Sequence, residues 1–230
     1  MSASKVSYRV NKRFWPYLES LGFEKHAAPR EWVRLTDDRV LWAVQMIRLN
    51  RHPSTSEALT PGSFYIQVGV QYEKQHLGYS IDEPKISSGI GGCSIRANLT
   101  RSAALSGPEW PYVWDPGHIT PDEAITDAMD AFDSQAMPFL ELWTDPQYAY
   151  DSLLAGGFPH QSEGAGTPGL AEVSVGPTQG SIADLYVLSE LAFRLGRFEE
   201  EADYLERVIE QRGGGPAHTK RLETLRKGMG

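Results

Sequence analysis

The stretch that decides the fold is Ser63-Phe-Tyr-Ile-Gln-Val-Gly-Val-Gln-Tyr72, in which two kinds of residue alternate. The apolar set is Phe64, Ile66, Val68, Val70 and Tyr72, and the mostly polar set is Tyr65, Gln67, Gly69 and Gln71. An extended backbone points successive side chains to opposite faces of a sheet, so the two sets separate. The pattern therefore predicts a half-buried strand in the middle of a sheet.

Three other segments show strand patterns, at spacings that suit antiparallel hairpins. They are residues 30–36, Val40–Arg48 and 93–99. Amphipathic helical patterns precede and follow the four strands, which indicates the α+β class. We predict an antiparallel sheet of about four strands with helices packed on one face, plus a C-terminal helical hairpin.

The first hairpin has a predicted register. The two aspartates at 37–38 tolerate turn geometry and bond to their own backbone, so we place the turn there. Such a turn would set Leu35 opposite Val40 and Val33 opposite Trp42. Both pairs would then lie on one apolar face.

Apolar side chains at three- and four-residue steps predict the helices. These helices span residues 4–21, 120–143, 146–154, 181–195, 199–212 and 216–227. Pro16 lies inside the first helix and Pro138 inside the second. Because proline removes a backbone hydrogen bond, we expect a kink near residues 11–12 and a bend at Pro138.

The clearest boundary in the chain is the Gly-, Pro- and Ser-rich stretch at 158–180. Only its middle, Leu170–Val175, is apolar enough to dock as an extended segment. We therefore divide the chain into an α+β domain at 1–157, a linker at 158–180 and a helical appendage at 181–230.

The composition limits the partners that the protein can have. The chain carries 22 basic and 30 acidic residues, a formal charge of -8, which repels nucleic acid and anionic membranes. A single cysteine cannot form an intrachain disulfide. No apolar run approaches the roughly 20 residues that span a bilayer, and the N-terminal sequence lacks the apolar core of a signal peptide. We expect a soluble, cytoplasmic protein with a protein partner.

Candidate metal and phosphate sites are weak. Glu123, Asp127 and Asp130 share a helical face at steps of four and three, which could hold a metal ion, but that face lies opposite the apolar stripe and we interpret it as solvated. The spacing of Gly89–Gly92 matches neither nucleotide-binding motif, so we interpret it as a flexible loop. Single histidines stand at His26, His52, His76, His118, His160 and His218. We predict neither a metal nor a cofactor.

Catalytic residues are equally hard to nominate. Cys93 could be a nucleophile if folding brought a base near it, but its place on the apolar side of a strand favours a buried thiol. No serine-elbow motif and no zinc-protease motif is present. The sequence favours a protein that is not an enzyme.

A group of arginines on or beside the predicted strands offers a binding surface. Arg34 and Arg96, if they share the face opposite the apolar one, would join Trp32, Tyr65 and Gln67. Such a polar and aromatic surface suits an acidic peptide or a small anion. The alternative is that the arginines only protect an exposed sheet.

Several short motifs stand in order along the chain, and the resemblance that they carry covers roughly residues 5–145. They are Phe14 and Leu18 in a helix, the Leu21-Gly22-Phe23 exit, Trp32-Val-Arg34, Val44-Gln45, Phe64-Tyr-Ile-Gln-Val-Gly-Val70 and Cys93-Ser-Ile-Arg-Ala-Asn-Leu99. In this order the chain resembles the DUF4304 family, a bacterial family of unknown function. The resemblance brings no catalytic residues with it.

The tail resembles a tetratricopeptide-type helical hairpin. The matching residues are Leu188, Leu191-Ala192, Leu195-Gly196, Phe198, Ala202, Leu205 and Ile209. One such unit is too short for a free-standing repeat array, so we expect it to pack on the rest of the chain.

Two functions remain open at this point. The first is a non-enzymatic protein-binding module, for example the immunity protein of a bacterial toxin system. The second is a small-anion or enzymatic pocket between the sheet and the Pro/Trp-rich loop at residues 107–117, with Arg34 or Arg96 holding the anion.

Overall fold

The computed structural model describes residues 3–26, 28–49, 59–78, 89–102, 113–155, 170–175 and 182–228. A six-stranded antiparallel sheet follows the chain order from β1 to β6. The strands are β1 at Glu24–Lys25, β2 at Glu31–Leu35, β3 at Val40–Arg48, β4 at Phe64–Tyr72, β5 at Ile95–Leu99 and β6 at Leu170–Val175. The predicted α+β class and all four predicted strands are confirmed, and two edge strands are added.

The helices surround the sheet. They are α1 at Ala3–Arg9, α2 at Trp15–Ser20, α3 at Gly89–Gly92, α4 at Pro121–Ala131, α5 at Met137–Leu142, α6 at Pro146–Leu154, α7 at Ile182–Arg194, α8 at Phe198–Arg212 and α9 at Pro216–Gly228. No described helix is long and apolar enough to cross a membrane.

Both prolines inside predicted helices follow a π-helical turn. The turn at Val10–Phe14 joins α1 to α2, and the turn at Phe132–Ala136 joins α4 to α5. In each, a backbone N–H reaches back five residues, so the wider turn makes room ahead of Pro16 and Pro138. The α-helix is therefore interrupted by a π turn ahead of each proline, and the expected kink and bend stay predictions.

The central strand β4 presents its apolar residues to the helices, as predicted. Ile66, Val68 and Val70 are fully buried in the main core, which also contains Phe14 of the first π turn and Phe132 of the second. Burial of side chains of this size contributes about 1.5–3 kcal/mol each, which makes this face the main source of stability.

The predicted register of the first hairpin is wrong by one residue. Leu35 pairs with Leu41 and Arg34 with Trp42. Arg39 adopts a left-handed φ of 58° and donates its N–H to Thr36, so the loop contains one residue more than a two-residue turn. A one-residue slip moves every side chain of the strand to the other face.

The opposite face of the sheet carries a second, smaller core. Val33, Leu41 and Ala43 pack there with Ile90 of α3 and with Cys93. The predicted burial of the Cys93 thiol is therefore confirmed, whereas Gly89–Gly92, which the sequence suggested as a flexible loop, forms the short helix that covers these residues.

The C-terminal helices pack on the sheet domain. Leu188, Leu191 and Ala192 of α7 belong to the main core, so the expected packing of the helical tail is confirmed. Strand β6, which pairs with β5, lies inside the stretch predicted as a linker and is the segment expected to dock in extended form. The remaining residues of that linker lie outside the described residues, and the proposed domain boundaries stay a prediction.

We expect Gly69→Ala to destabilise the protein by about 1–3 kcal/mol, because the sheet leaves no room for a methyl group. An added Cβ would lie 2.7 Å from Cys93 Cβ and 2.8 Å from Ile90 Cδ1. Gly91→Ala, where an added Cβ meets nothing within 4 Å, is the matched control. Urea unfolding measures both, and equal midpoints would contradict the close packing of α3 on β4.

Candidate functional site

The five predicted binding residues do not form one surface. In a sheet, paired residues on neighbouring strands point to the same face. Arg34 lies opposite Trp42, which in turn lies opposite Val70, and Val70 faces the helices. Trp32, two residues before Arg34, lies on the same helix-covered face. Tyr65, Gln67 and Arg96 lie on the opposite face. The predicted grouping of Arg34 with Arg96 is therefore wrong, and the cause is the register slip in the first hairpin.

Arg34 contacts other parts of the protein on the helix-covered face. Its Nη1 donates to the carbonyl oxygen of Leu21 at 2.9 Å, and its guanidinium lies 5.0 Å from the centroid of the Trp42 ring. These contacts fix the chain where it leaves α2. An anion pocket that used Arg34 together with Arg96 is not formed.

The other three predicted residues lie on the face with the smaller core. Gln67 Nε2 donates to Asn98 Oδ1 at 3.2 Å, and Tyr65 is half-buried. Arg96 is paired with Gly69, and its buried Nε has no hydrogen-bond partner among the described residues. Residues 107–112 of the Pro/Trp-rich loop at 107–117 lie outside the described residues, whereas Trp114 is buried and its ring stacks on that of Phe64.

A serine, a histidine and a glutamate meet where α7 reaches the sheet. Ser189 Oγ lies 3.2 Å from His76 Nε2, and His76 Nδ1 lies 2.5 Å from Glu190 Oε2. This is the order of contacts found in serine hydrolases. Sequence reasoning missed it, because Ser189 and His76 are 113 residues apart and no local motif marks them.

This cluster is sealed within the protein. Ser189 is 0% exposed, and the side chains of His76 and Glu190 are 0% and 1% exposed. The Ser189 hydroxyl donates to the carbonyl oxygen of Tyr186, and Glu190 also accepts a hydrogen bond from Arg194 at 2.7 Å. Each group is thus engaged inside the fold, with no exposed surface for a substrate to reach the serine.

Arg194 extends the cluster onto the sheet. Its Nη1 donates to the carbonyl oxygen of Asp38 at 2.7 Å, and its Nη2 lies 3.2 Å from the carbonyl oxygens of Arg39 and Glu73. Its guanidinium also lies 5.2 Å from the centroid of the Tyr72 ring. These contacts join α7 to the two chain segments at one end of the β3–β4 pair, where Val40 lies opposite Tyr72.

Cys93 lies in a second buried polar group. The Glu31 carboxylate accepts a hydrogen bond from the backbone N–H of Ile90 and lies 3.2 Å from His26 Nδ1. Burial raises the pKa of the Cys93 thiol, and the nearby Glu31 carboxylate raises it further. The thiol is therefore protonated and unsuited to nucleophilic attack.

The carboxylates considered for a metal ion have other partners. Asp127, expected on a solvated face, is buried and accepts hydrogen bonds from Trp114 Nε1 at 2.8 Å and from the backbone N–H of Ser102 at 3.1 Å. Glu123 completes the cap of α4 with Thr120. Within the described part of the chain, no group of three His, Cys, Asp or Glu side chains could hold a metal ion.

A cleft of about 510 Å³ lies between the first helical segments and the β1–β2 hairpin. Its walls are formed by Val10, Asn11, Trp15, Lys25, Pro29, Arg30 and Trp32. We call it the Trp15/Trp32 cleft. The volume is in the range of ligand pockets, and the mixture of aromatic rings with a few polar groups is typical of them.

The two tryptophans form the aromatic part of the cleft. Their ring centroids are 5.4 Å apart, and the Lys25 ammonium lies 5.5 Å from the Trp15 centroid. Trp32 is 2% exposed, and its buried indole N–H has no acceptor among the described residues. Its nitrogen is enclosed in the fold, and a buried donor without a partner costs about 1–3 kcal/mol.

The electrostatics of the cleft are positive, although the chain is acidic. Among the described residues, none that lines the cleft is acidic, and neither Lys25 nor Arg30 forms an ion pair. Burial and the neighbouring Arg48 both lower the pKa of Arg30. The cleft therefore favours a negatively charged ligand.

Two local features of the backbone build the cleft. The π turn at Val10–Phe14 supplies Val10 and Asn11, and such turns are frequent at functional sites. Arg30 has a left-handed φ of 58°, which is uncommon outside glycine and carries strain. Trp15 could have been noticed in the sequence, because it lies off the apolar stripe of its helix.

Comparison of the chain with protein-family models, with curated proteins and with solved structures finds no match. Membership of the DUF4304 family stays a prediction from the motifs.

We expect the folded protein to resist reagents that label catalytic residues. Iodoacetamide should leave Cys93 unmodified even at pH 9, the ordinary pKa of a thiol, because burial holds it protonated. Alkylation should become complete after unfolding in guanidinium chloride, which is the control. A fluorophosphonate probe should label native protein and the Ser189→Ala variant equally. Mass spectrometry measures both reactions. If the probe labels the native protein but not the Ser189→Ala variant, Ser189 is an accessible catalytic serine.

Proposed function

We propose that the protein is a non-enzymatic binding module that recognises a partner protein through the Trp15/Trp32 cleft. One contrast carries this proposal. The Ser189 and Cys93 side chains are buried, whereas the cleft presents Lys25 and Arg30, which form no ion pair among the described residues.

The buried groups support binding over catalysis for a physical reason. A nucleophile must reach its substrate, and both the Ser189 hydroxyl and the Cys93 thiol are enclosed. The Cys93 pKa is raised, whereas activation of a thiol requires a lowered pKa. In contrast, the cleft holds groups that attract and position a ligand.

The composition of the cleft supports a protein partner. Tryptophan and arginine are enriched among the residues that dominate the binding energy of protein interfaces. Trp15 and Arg30 are half-buried and Lys25 is exposed, so these side chains can be contacted from outside. The chain as a whole carries a charge of -8, which a partner with a basic surface would complement. An acidic group on that partner would complement the positive charges of the cleft.

A finer form of this proposal is an immunity protein that neutralises a bacterial toxin. The resemblance to a bacterial family and the strongly acidic composition support it. A small-anion carrier is the second candidate, supported by the positive cleft alone. The immunity protein would bind another protein, whereas the small-anion carrier would not.

We expect the product of a neighbouring gene to be toxic when expressed alone and harmless when co-expressed with this protein. Lys25→Glu should weaken the complex about tenfold or more and reduce the protection, because it reverses a charge in the cleft. Lys12→Glu is the matched control, since Lys12 is exposed and does not line the cleft. Calorimetry and growth curves give the two measurements.

Two results would contradict parts of the proposal. A harmless neighbour and no partner recovered with the wild-type protein would remove the immunity function. A partner that binds wild-type protein and Lys25→Glu with equal affinity would show that recognition lies elsewhere on the surface.

A further inference from the structure

His218 lies in the first turn of α9 and caps that helix. Its Nδ1 accepts a hydrogen bond from the backbone N–H of Gly215 at 3.2 Å, and the backbone N–H of His218 donates to the carbonyl oxygen of Gly215 at 3.0 Å. The arrangement is one half of a capping box, in which a Glu or Gln side chain at this position binds the N–H of the capping residue. A protonated imidazole carries hydrogen on both nitrogens and accepts no hydrogen bond. The cap therefore forms only while His218 is neutral.

The surroundings of His218 also oppose a positive charge. Burial lowers the pKa of His218, and the nearby His76 and Lys74 lower it further. The His218 ring lies 5.2 Å from the Tyr186 ring of α7, and the Lys74 ammonium lies 5.0 Å from the centroid of that same ring. His218 also stands at the positive end of the α9 dipole, where a cation is unfavourable.

The carboxylates of this region already bind other cations. The charged and titratable groups around His218 and its neighbour His76 are Lys74 after β4, Tyr186, Glu190 and Arg194 of α7, Glu201 of α8, and Lys220 and Arg221 of α9. Glu190 contacts His76, and Glu201 receives two hydrogen bonds from Arg221 at 2.7 and 2.9 Å. Among the described residues, His218 itself forms no ion pair.

A small apolar cluster holds the rest of α9 in place. Leu225 is buried with Ala202 and Leu205 of α8, and Leu77 and Leu222 pack against them. This cluster is separate from the main core beneath the sheet. Because elements with few buried contacts open locally before the whole fold does, α9 can leave while the sheet stays folded.

We propose that α9 is an acid-sensitive lid, which is docked while His218 is neutral and leaves Leu77 and Leu205 uncovered when His218 takes up a proton. The undocked state binds the proton more readily than the docked state, so undocking becomes more favourable as the pH falls. The ratio of undocked to docked protein should rise up to about tenfold per pH unit below the ordinary histidine pKa of 6.5, until the lowered pKa is reached. This inference does not rest on the proposed binding function.

Hydrogen exchange of the full-length protein tests the inference. Protection factors of the α9 amides correct for the intrinsic effect of pH on exchange, and they should fall about three- to tenfold between about pH 7.5 and about pH 5.5. Those of β3 and β4 should stay constant. In His218→Gln the fall should disappear, because the side-chain amide still accepts the Gly215 N–H but gains no proton. His118→Gln, which removes an exposed histidine elsewhere, is the matched control and should keep the fall.

A second variant tests the charges around His218. Proton NMR gives the pKa of the His218 ring, whose signal the His218→Gln spectrum identifies. Lys74→Gln removes an exposed cation, so it should raise this pKa towards the ordinary value and reduce the fall in α9 protection. Lys12→Gln removes an exposed lysine far along the chain and should change neither measurement.

Four results would overturn the inference. The first is equal protection of α9 at both pH values in the wild-type protein, and the second is a His218 pKa at or above the ordinary value. The third is a fall in protection that persists in His218→Gln, which would assign the pH response to another group, such as His76. The fourth is an equal loss of protection in β4, which would show unfolding of the sheet rather than release of α9.

Discussion

The pairing of β3 with β4 is the interaction on which the rest of the structure depends. Nine cross-strand pairs run from Val40 opposite Tyr72 to Arg48 opposite Phe64, and both strands lie inside the sheet. Because side chains alternate along this pair, one face supplies the main core and the other the smaller core beneath α3. The helices pack on the two faces of this pair, and the other strands extend the sheet from its two edges.

Charged side chains fasten the outer elements to this pair of strands. Arg39 takes a left-handed conformation in the first hairpin, and the Glu73 carboxylate after β4 receives two hydrogen bonds from its guanidinium at 2.8 and 2.6 Å. Arg194 of α7 bonds to the backbone of the same turns. These contacts explain how an acidic chain keeps buried carboxylates, since each has a cation or an N–H donor beside it. They also explain why Ser189 and His76 meet without forming an accessible site.

The Trp15/Trp32 cleft is one place where pairing is incomplete among the described residues, and Arg96 Nε is another. Its cations lack anionic partners among the described residues, and Trp32 keeps an unsatisfied donor. Most buried polar groups of a folded protein are satisfied, so the unsatisfied Trp32 N–H is a local cost to the fold. The π turn ahead of Pro16 and the strained Arg30 backbone hold the two walls of the cleft in place.

The sequence by itself determined strands β2 to β5, the helices other than α3 and the apolar face of β4, because alternation and helical periodicity depend only on neighbouring residues. It also determined the burial of Cys93. Only the tertiary structure decided the face of Trp32 and Arg34, because a single left-handed residue, Arg39, shifts the register by one. The meeting of Trp15 with Trp32, and of His76 with Ser189, likewise came from the tertiary structure, since residues distant in the chain become neighbours only when the helices pack on the sheet.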